Sequence, residues 1–235
     1  MNDYEVKAKE ELGKWKKKIT KKSTILNRFS KTAQTKINSY IPEKAHQMIT
    51  ESIKKMVQAT LAGSEYTTKQ RDVSDLTLEE KEKLVLERLN VYKRTAAVEG
   101  AGTGAGGFLL ALADFPLLLS IKMKFLFEVA SIYGYDSKKY DERLFLLHIF
   151  KLAFSSDYYK EETLALIEDW YEKKKELEEL DWRVFQQEYR DYIDFVKMLQ
   201  LIPGIGAVVG AYANYNLLDQ LGETAINCYR LRYFE

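Results

Sequence analysis

Four acidic residues stand in or beside apolar stretches of the sequence, where they could support acid–base chemistry: Glu99, Asp114, Glu128 and Glu223. Burial raises the pKa of a carboxyl group and makes it a candidate general acid or base. One hypothesis is therefore a hydrolase or other enzyme that acts on a lipid or peptide. In that hypothesis Asp114, Glu99 and Glu128 would converge in one pocket.

Structural roles compete with catalysis for the same residues. Asp114 stands two positions before Pro116, which suits an aspartate that caps the following helix through its carboxylate. Glu223 and Asn214 are candidates for hydrogen bonds between helices or to a ligand. The structural interpretation of Lys122, Lys124 and Glu128 is that they form a solvated face of one helix.

Histidine and cysteine offer little further chemistry. The sequence has two histidines, His46 and His148, and one cysteine, Cys228. The sequence contains no zinc-binding His-Glu-x-x-His motif. His148 lies in the apolar stretch RLFLLHIFKLAF, which is typical of a hydrogen-bonded core residue. Cys228 has no identifiable base beside it and is predicted to be a buried, inert thiol. We predict no metal, no cofactor and no assignable catalytic residue.

The most unusual stretch is GAGTGAGGFLLALADFPLLL, residues 100–119. Its glycines match G-x-G-x-x-G as letters, but a dinucleotide site needs a preceding strand, and a charged helical segment precedes them here. Small residues four apart instead favour close packing of helices. A second cluster repeats the pattern, so we predict two glycine-faced helices that pack together. The proposed packing glycines are Gly100, Gly102, Gly104, Gly106, Gly206 and Gly210.

The two apolar segments that contain these glycines, 100–121 and 198–218, are each long enough to cross a bilayer. Asp114 and Pro116 interrupt the first segment, and Asn214 and other amides lie in the second. A bilayer core penalises such polar groups. The interruptions favour helices buried in a protein core, and membrane insertion stays open as the alternative.

The surrounding elements are helices. Apolar residues recur every three or four positions, and the three prolines lie far apart. We therefore predict one all-α domain over residues 1–235: a compact multi-helix fold with two glycine-faced apolar segments packed together. Thr77 and Glu80 have the spacing of a capping box, and Gly134 is predicted to end a helix that starts near Asp114. Further helices are expected near 138–154, 158–180 and 181–200.

Residues 1–40 form a basic amphipathic amino-terminal arm. Residues 1–36 hold eleven Lys or Arg against four Asp or Glu, whereas the whole chain carries a net charge of only +1, which argues against nucleic-acid binding. The apolar stripe of the arm must be buried, either by an anionic membrane surface or by its own domain. The single cysteine and the charged amino terminus favour a cytoplasmic location. The membrane-surface candidates are Trp15, Lys14, Lys17, Lys18, Lys21 and Lys22.

Several short motifs occur in a specific order along the chain. They are ADFP at 113–116, YGYD at 133–136, IPGIG at 202–206, NY at 214–215 and GETA at 222–225. In this order they resemble the EcsC family over roughly residues 80 to 232. The resemblance implies a bacterial protein associated with the Ecs ABC transporter, and it carries over no catalytic residue.

The first functional hypothesis follows from this resemblance and from the basic arm. It is a non-enzymatic, membrane-proximal accessory protein, cytoplasmic and peripheral on the inner face of the cell membrane. Its partners would be the Ecs transporter subunits, an anionic membrane surface, or a hydrophobic ligand such as a lipid or a peptide. The enzyme described above is the alternative hypothesis.

Overall fold

A computed structural model describes residues 1–20, 43–63, 70–104, 115–155, 157–178 and 207–235. Within these residues the regular elements are helices and no strand is present, which confirms the all-α prediction. The helices are α1 (Asp3–Thr20), α2 (Glu43–Ala62), α3 (Leu78–Gly104), α4 (Phe115–Tyr133), α5 (Tyr140–Phe154), α6 (Asp157–Glu168), α7 (Trp170–Glu178) and α8 (Ala207–Phe234).

Local sequence signals account for several helix ends. The Glu80 backbone N–H donates to Thr77 Oγ1 at 3.3 Å, and the Thr77 N–H donates to a Glu80 carboxylate oxygen at 2.8 Å. This reciprocal pair is the predicted capping box at the start of α3. Gly134 ends α4 with a φ of +93°, which glycine adopts without steric cost. Both predictions are confirmed, whereas Asp114 and the predicted helix at 181–200 lie outside the described residues.

Helices α4 and α5 form the centre of the core. Nearly every described side chain of α4 and α5 is buried, because α2, α3 and α8 surround α4 and α8 also covers α5. The prediction of a solvated face at Lys122, Lys124 and Glu128 is therefore wrong for two of its three residues. Lys124 is exposed, but Lys122 and Glu128 retain only 2% and 5% of their surface exposed.

The most extensive helix–helix packing joins α3 and α8, the two helices that carry the glycine clusters. They run antiparallel, since Glu82 pairs with Arg230 and Lys93 pairs with Asp219. The two helices are tightly packed at Gly222, where an added Cβ would lie 2.7 Å from Leu89 Cδ2. Of the six proposed packing glycines, Gly106 and Gly206 lie outside the described residues, and for the other four packing stays a prediction.

One predicted helix is two in the structure. The segment expected at 158–180 turns at Asp169, between α6 and α7. The turn places Trp170 fully inside the core, where its ring lies 4.9 Å from that of Phe145 in an edge-to-face arrangement. Burial of a large aromatic side chain outweighs the local preference for one continuous helix.

Helix α1 lies on the outside of the bundle against α8, α6 and α3. Its buried stripe consists of Ala8, Leu12 and Trp15. Only 5% of the Trp15 surface is exposed, so the indole packs inside the protein and its assignment as a membrane anchor is corrected. None of the helices in the described part of the chain combines the length and the apolar character needed to span a bilayer.

Candidate functional site

A cleft of about 1030 Å³ lies between α1 and the antiparallel pair of α3 and α8. Its apolar lining includes Leu86 and Leu89 from α3, Leu152 from α5 and Ile226 from α8. Leu86 stands at the edge with 49% of its surface exposed, while Leu89 is buried at 6%. This volume is at the upper end of the range for ligand sites, which are mostly apolar concavities with a few polar groups.

A buried acceptor also lines this cleft. The Asn227 side-chain nitrogen donates to the Glu223 carbonyl at 2.8 Å. Its oxygen, Oδ1, is buried and has no hydrogen-bond partner within the described ranges. Because a buried carbonyl oxygen without a donor is costly, Oδ1 is a point where a ligand N–H or O–H would be favoured.

The carboxylates that line the cleft are matched by cations of the same chain. The pairs are Arg230 with Glu82 at 2.6 Å, Arg230 with Glu11 at 3.0 Å, Lys93 with Asp219 at 2.5 Å, and Lys18 with Glu223 at 3.0 Å. Lys14 lines the same cleft and has no acidic partner among the described residues. The edge formed by α1 therefore presents surplus positive charge, as the basic composition of the arm predicts.

Glu82 is the polar centre that fastens α1 to the bundle. It is 2% exposed and accepts hydrogen bonds from Tyr4 Oη at 2.7 Å and from Arg230 Nε at 2.8 Å. Burial, with the Glu82 carboxylate as the next cause, raises the pKa of Tyr4 to about 12. The phenol therefore stays protonated and donates to Glu82 throughout the physiological range.

Glu128 on α4 is held by two arginines. Its carboxylate accepts from Arg71 Nη2 at 2.5 Å and from Arg88 Nη2 at 3.0 Å. The Arg71 backbone N–H donates to Ser131 Oγ at 3.0 Å, which fixes the loop before α3 onto α4. With both arginines bound to it, the Glu128 carboxylate joins α4 to α3 and to the loop before α3.

Glu142 on α5 forms the third buried acidic centre, next to the carboxyl end of α8. It accepts from Tyr229 Oη at 2.6 Å and from Arg232 Nη1 at 2.7 Å. The Arg232 guanidinium lies 3.6 Å from the ring centroid of Tyr135 and 4.4 Å from that of Phe145. Burial raises the pKa of Glu142, and Arg232 opposes that rise. The cluster ties the end of α8 to α5 through a paired charge and cation–π contacts.

Comparison with known proteins now identifies the family. A model described as the EcsC protein family matches residues 6–234. The chain belongs to the EcsC family. It is 54% identical to "Protein EcsC" of Bacillus subtilis (strain 168) over 232 residues, which cover 99% of this chain and 97% of that protein. It is also 32% identical to "Uncharacterized protein YdbA" of the same organism over 142 residues, covering 58% of this chain and 52% of the other. No solved structure matches.

Two of the binding candidates predicted in this EcsC-family chain have described side chains, Glu128 and Glu223, and of these two only Glu223 lines the cleft. Glu223 bonds across helices, accepting from Lys18 Nζ at 3.0 Å. Glu128 pairs with Arg88 on α3, and Glu99 follows eleven residues later on that helix, about 16 Å further along its axis. Their convergence with Asp114 in one catalytic pocket stays a prediction, because the side chains of Glu99 and Asp114 lie outside the described part.

The other predicted sites differ in how far the structure describes them. Glu99 belongs to α3 and Asn214 to α8, and their side chains lie outside the described part, as do Asp114, Lys21 and Lys22. Lys14, Lys17 and Lys18 lie on α1, where Lys18 pairs with Glu223. Their role at a membrane surface stays a prediction.

The predictions that His148 is a hydrogen-bonded core residue and that Cys228 is a buried thiol are confirmed. His148 Nδ1 lies 2.8 Å from the Leu144 carbonyl oxygen, and burial lowers the pKa of His148 to about 4, so the ring is neutral in the core. Cys228 is a fully buried free thiol whose pKa is raised by burial. The described residues contain no group of three or more metal-binding side chains.

Sequence reasoning missed the most important buried polar groups. Glu82, Glu142 and their arginine partners are separated by 148 and 90 residues respectively, so no local spacing could reveal them. Lys122 was predicted to lie on a solvated face, although most of its neighbours in the sequence are apolar. The letters alone could not distinguish Lys122 from the exposed Lys124, because both lie in the same apolar stretch, LLLSIKMKFLF at 117–127.

Proposed function

We propose that this EcsC-family chain is a non-enzymatic accessory protein that works beside the Ecs ABC transporter on the cytoplasmic face of the cell membrane. In this proposal the cleft between α1 and the α3–α8 pair receives an apolar segment of a transporter subunit. The single observation that carries the proposal is the cleft itself, with its apolar lining and its basic edge.

The chemistry of the cleft favours binding over catalysis. An enzyme needs at least two polar groups within reach of one reacting atom. Here Glu82 and Glu11 are engaged by Arg230, and Asp219 is engaged by Lys93. The remaining features are those of a recognition surface: exposed Leu86, the unpartnered oxygen of Asn227 and the surplus charge of α1.

A basic edge next to an apolar cleft also suits a position at the membrane. Anionic lipids attract juxtamembrane lysines within about a Debye length of the surface. In this proposal the apolar segment of the transporter subunit lies at that same boundary. Attraction of α1 to the lipid surface would therefore raise the local concentration of the cleft near its partner.

The test is co-purification of the full chain with the detergent-solubilised Ecs transporter, using Leu86→Glu and Val91→Glu variants. Both residues are on α3 and expose 49% and 47% of their surface, but only Leu86 is among the residues that line the cleft. We expect Leu86→Glu to reduce recovery with the transporter about tenfold and Val91→Glu to leave it unchanged.

Three outcomes separate the alternatives. Equal recovery of wild type and both variants would reject the cleft as the transporter site. Loss in both variants would indicate a general effect of added charge and would also count against the cleft. Binding of the wild-type chain to vesicles of anionic lipid alone, with no binding to the solubilised transporter, would replace the proposed partner with lipid.

A further inference from the structure

Helices α1 and α8 run antiparallel and are joined by two ion pairs along the cleft. Lys18 pairs with Glu223 at 3.0 Å, and Glu11 pairs with Arg230 at 3.0 Å. The two pairs are seven residues apart on both helices, which is close to two helical turns. One level of the contact between α1 and α8 therefore lies half-way between the two ion pairs.

Lys14 of α1 and Asn227 of α8 occupy this intermediate level. Each lies three residues from one ion pair and four residues from the other, so each shares a helix face with the paired residues. Both are among the residues that line the cleft. We call this position the Lys14–Asn227 level.

The Lys14–Asn227 level has a hydrogen-bond acceptor without a donor and a cation without an anion. Only 5% of the Asn227 surface is exposed, and its buried Oδ1 accepts no hydrogen bond from the residues that the structure describes. Lys14 is exposed, and no carboxylate in the described ranges pairs with it. At this level a ligand would therefore gain hydrogen bonds that the free chain lacks.

Apolar side chains line the cleft on its buried side. Ile226 adjoins Asn227 on α8 and has 9% of its surface exposed, and Leu89 of α3 has 6% exposed. The cleft thus offers apolar surface and the Asn227 acceptor on its buried side, and the Lys14 cation on its solvent side. A ligand that matches the cleft has its donor beside its apolar group and its anion further out.

This order of groups selects among amphipathic ligands. The last residue of a peptide carries an N–H donor, an apolar side chain and a carboxylate on one Cα, so the carboxylate can reach Lys14 while the donor and the side chain face inward. A fatty acid has no donor for Asn227 Oδ1. The hydroxyl donors of a phosphatidylglycerol headgroup lie beyond its phosphate as seen from the tails, which reverses the order of donor and anion. The cleft therefore favours a peptide over a lipid.

We propose that the Lys14–Asn227 level binds a carboxylate and the neighbouring amide N–H of an apolar peptide, at the carboxyl end of the partner chain. The N–H donates to Asn227 Oδ1, the carboxylate accepts from Lys14 Nζ, and the apolar side chain packs on the buried side of the cleft near Leu89. This inference rests on the proposed function, because it identifies the apolar segment that the cleft receives as a carboxyl end. An acidic side chain beside apolar residues inside a segment supplies the same carboxylate chemistry, and the experiment separates the two sources.

The experiment measures the fluorescence anisotropy of three octapeptides, dye-labelled at the amino end, during titration with the full chain. All consist of alanine and serine with two leucines at the carboxyl end. The first has a free carboxyl end, the second a carboxamide, and the third a carboxamide with a glutamate before the leucines. We expect the first to bind about tenfold more tightly than the second. Preference for the first indicates a chain end and preference for the third an acidic side chain; either supports the proposal, whereas equal affinity for all three would overturn it.

Two variants separate the roles of the acceptor and the cation. Asn227→Leu removes the acceptor at similar volume and should weaken binding of all three peptides about tenfold, while the free energy of unfolding stays equal or rises because no unpaired oxygen remains buried. Lys14→Met should abolish only the preference for a carboxylate over the plain carboxamide. Lys17→Met is the matched control, because Lys17 is exposed on the same helix but does not line the cleft.

Three results with the variants would overturn the proposal. The first is wild-type affinity of Asn227→Leu for the free-carboxyl peptide, or no binding of any peptide to the folded wild-type chain. The second is tighter binding by Lys14→Met than by wild type, which would mean that Lys14 itself donates to Asn227. The third is binding of phosphatidylglycerol vesicles that Asn227→Leu abolishes, without any peptide binding, which would assign this level to a lipid.

The proposed function can fail separately from this inference. Transporter recovery that depends on Leu86, together with equal affinity for the three peptides, would reject the inference and keep the proposed function. Peptide binding that depends on Asn227, together with transporter recovery that Leu86→Glu leaves unchanged, would reject the cleft as the transporter site and keep peptide binding at the Lys14–Asn227 level.

Discussion

Replacing Lys122 with methionine is expected to stabilise the protein. Lys122 lies in an apolar environment without a described partner, and burial lowers the pKa of Lys122 from 10.5 to about 8. The fold therefore opposes the charged form of this side chain. Methionine fills a similar unbranched volume and carries no charge to desolvate.

The size of the effect follows from the change in pKa. Each unit corresponds to about 1.36 kcal/mol, so a decrease of roughly two and a half units amounts to about 3 kcal/mol. Below pH 8 the amine is charged in both the folded and the unfolded chain, and the full cost is present. Between pH 8 and 10.5 the unfolded chain binds the extra proton, so stability rises with pH and the cost disappears.

The assay is urea unfolding of wild type, Lys122→Met and the exposed control Lys124→Met at pH 7 and at pH 10. At pH 7 the free energy of unfolding of Lys122→Met should exceed that of wild type by about 3 kcal/mol. At pH 10 the difference should shrink to less than about 1 kcal/mol. Equal stability at pH 7, or a difference that does not change with pH, would refute the reasoning.

Three further predictions concern the core. Arg230→Met leaves Glu82 buried without its guanidinium and should lower the free energy of unfolding by about 3–5 kcal/mol; urea unfolding checks this, and a loss below about 1 kcal/mol would contradict it. Gly222→Val should cost about 1–3 kcal/mol, because even a Cβ would lie 2.7 Å from Leu89 Cδ2. Adding Leu89→Ala should restore part of that loss in thermal unfolding, and the idea fails if the double variant is simply the sum of both losses. His148 has a pKa lowered to about 4 by burial, so only the unfolded chain gains a proton between pH 6.5 and 4, and stability should fall as pH drops across that range. The His148→Leu variant should lose less stability over the same range, and parallel curves for the two proteins would argue against a buried neutral ring.

The sequence alone predicted the features that depend on neighbours along the chain. The capping box at Thr77 and Glu80 and the helix end at Gly134 involve contacts within a few residues, so spacing and residue type suffice to predict them. The hydrogen bond from His148 to the Leu144 carbonyl is likewise local. The all-α class followed from periodicity, and family membership followed from the order of short motifs.

The tertiary structure decided which helix faces are buried. Lys122 and Glu128 were predicted on a solvated face, but α4 is surrounded by helices that come from both ends of the chain. The sequence also left two ways to bury the stripe of α1, and the structure shows Trp15 against the bundle, with Glu82 and Arg230 supplying the polar attachment.

The physical reason for this division is the range of the forces involved. Hydrogen bonds within helices and caps join residues up to four positions apart, so local sequence encodes them directly. Burial depends on area shared between elements that are far apart in the sequence, and it is not encoded at any single spacing. The amino acid sequence therefore determined the helices of this EcsC-family protein, while only their packing decided that Lys122 lies in the core and that the cleft lies beside α1.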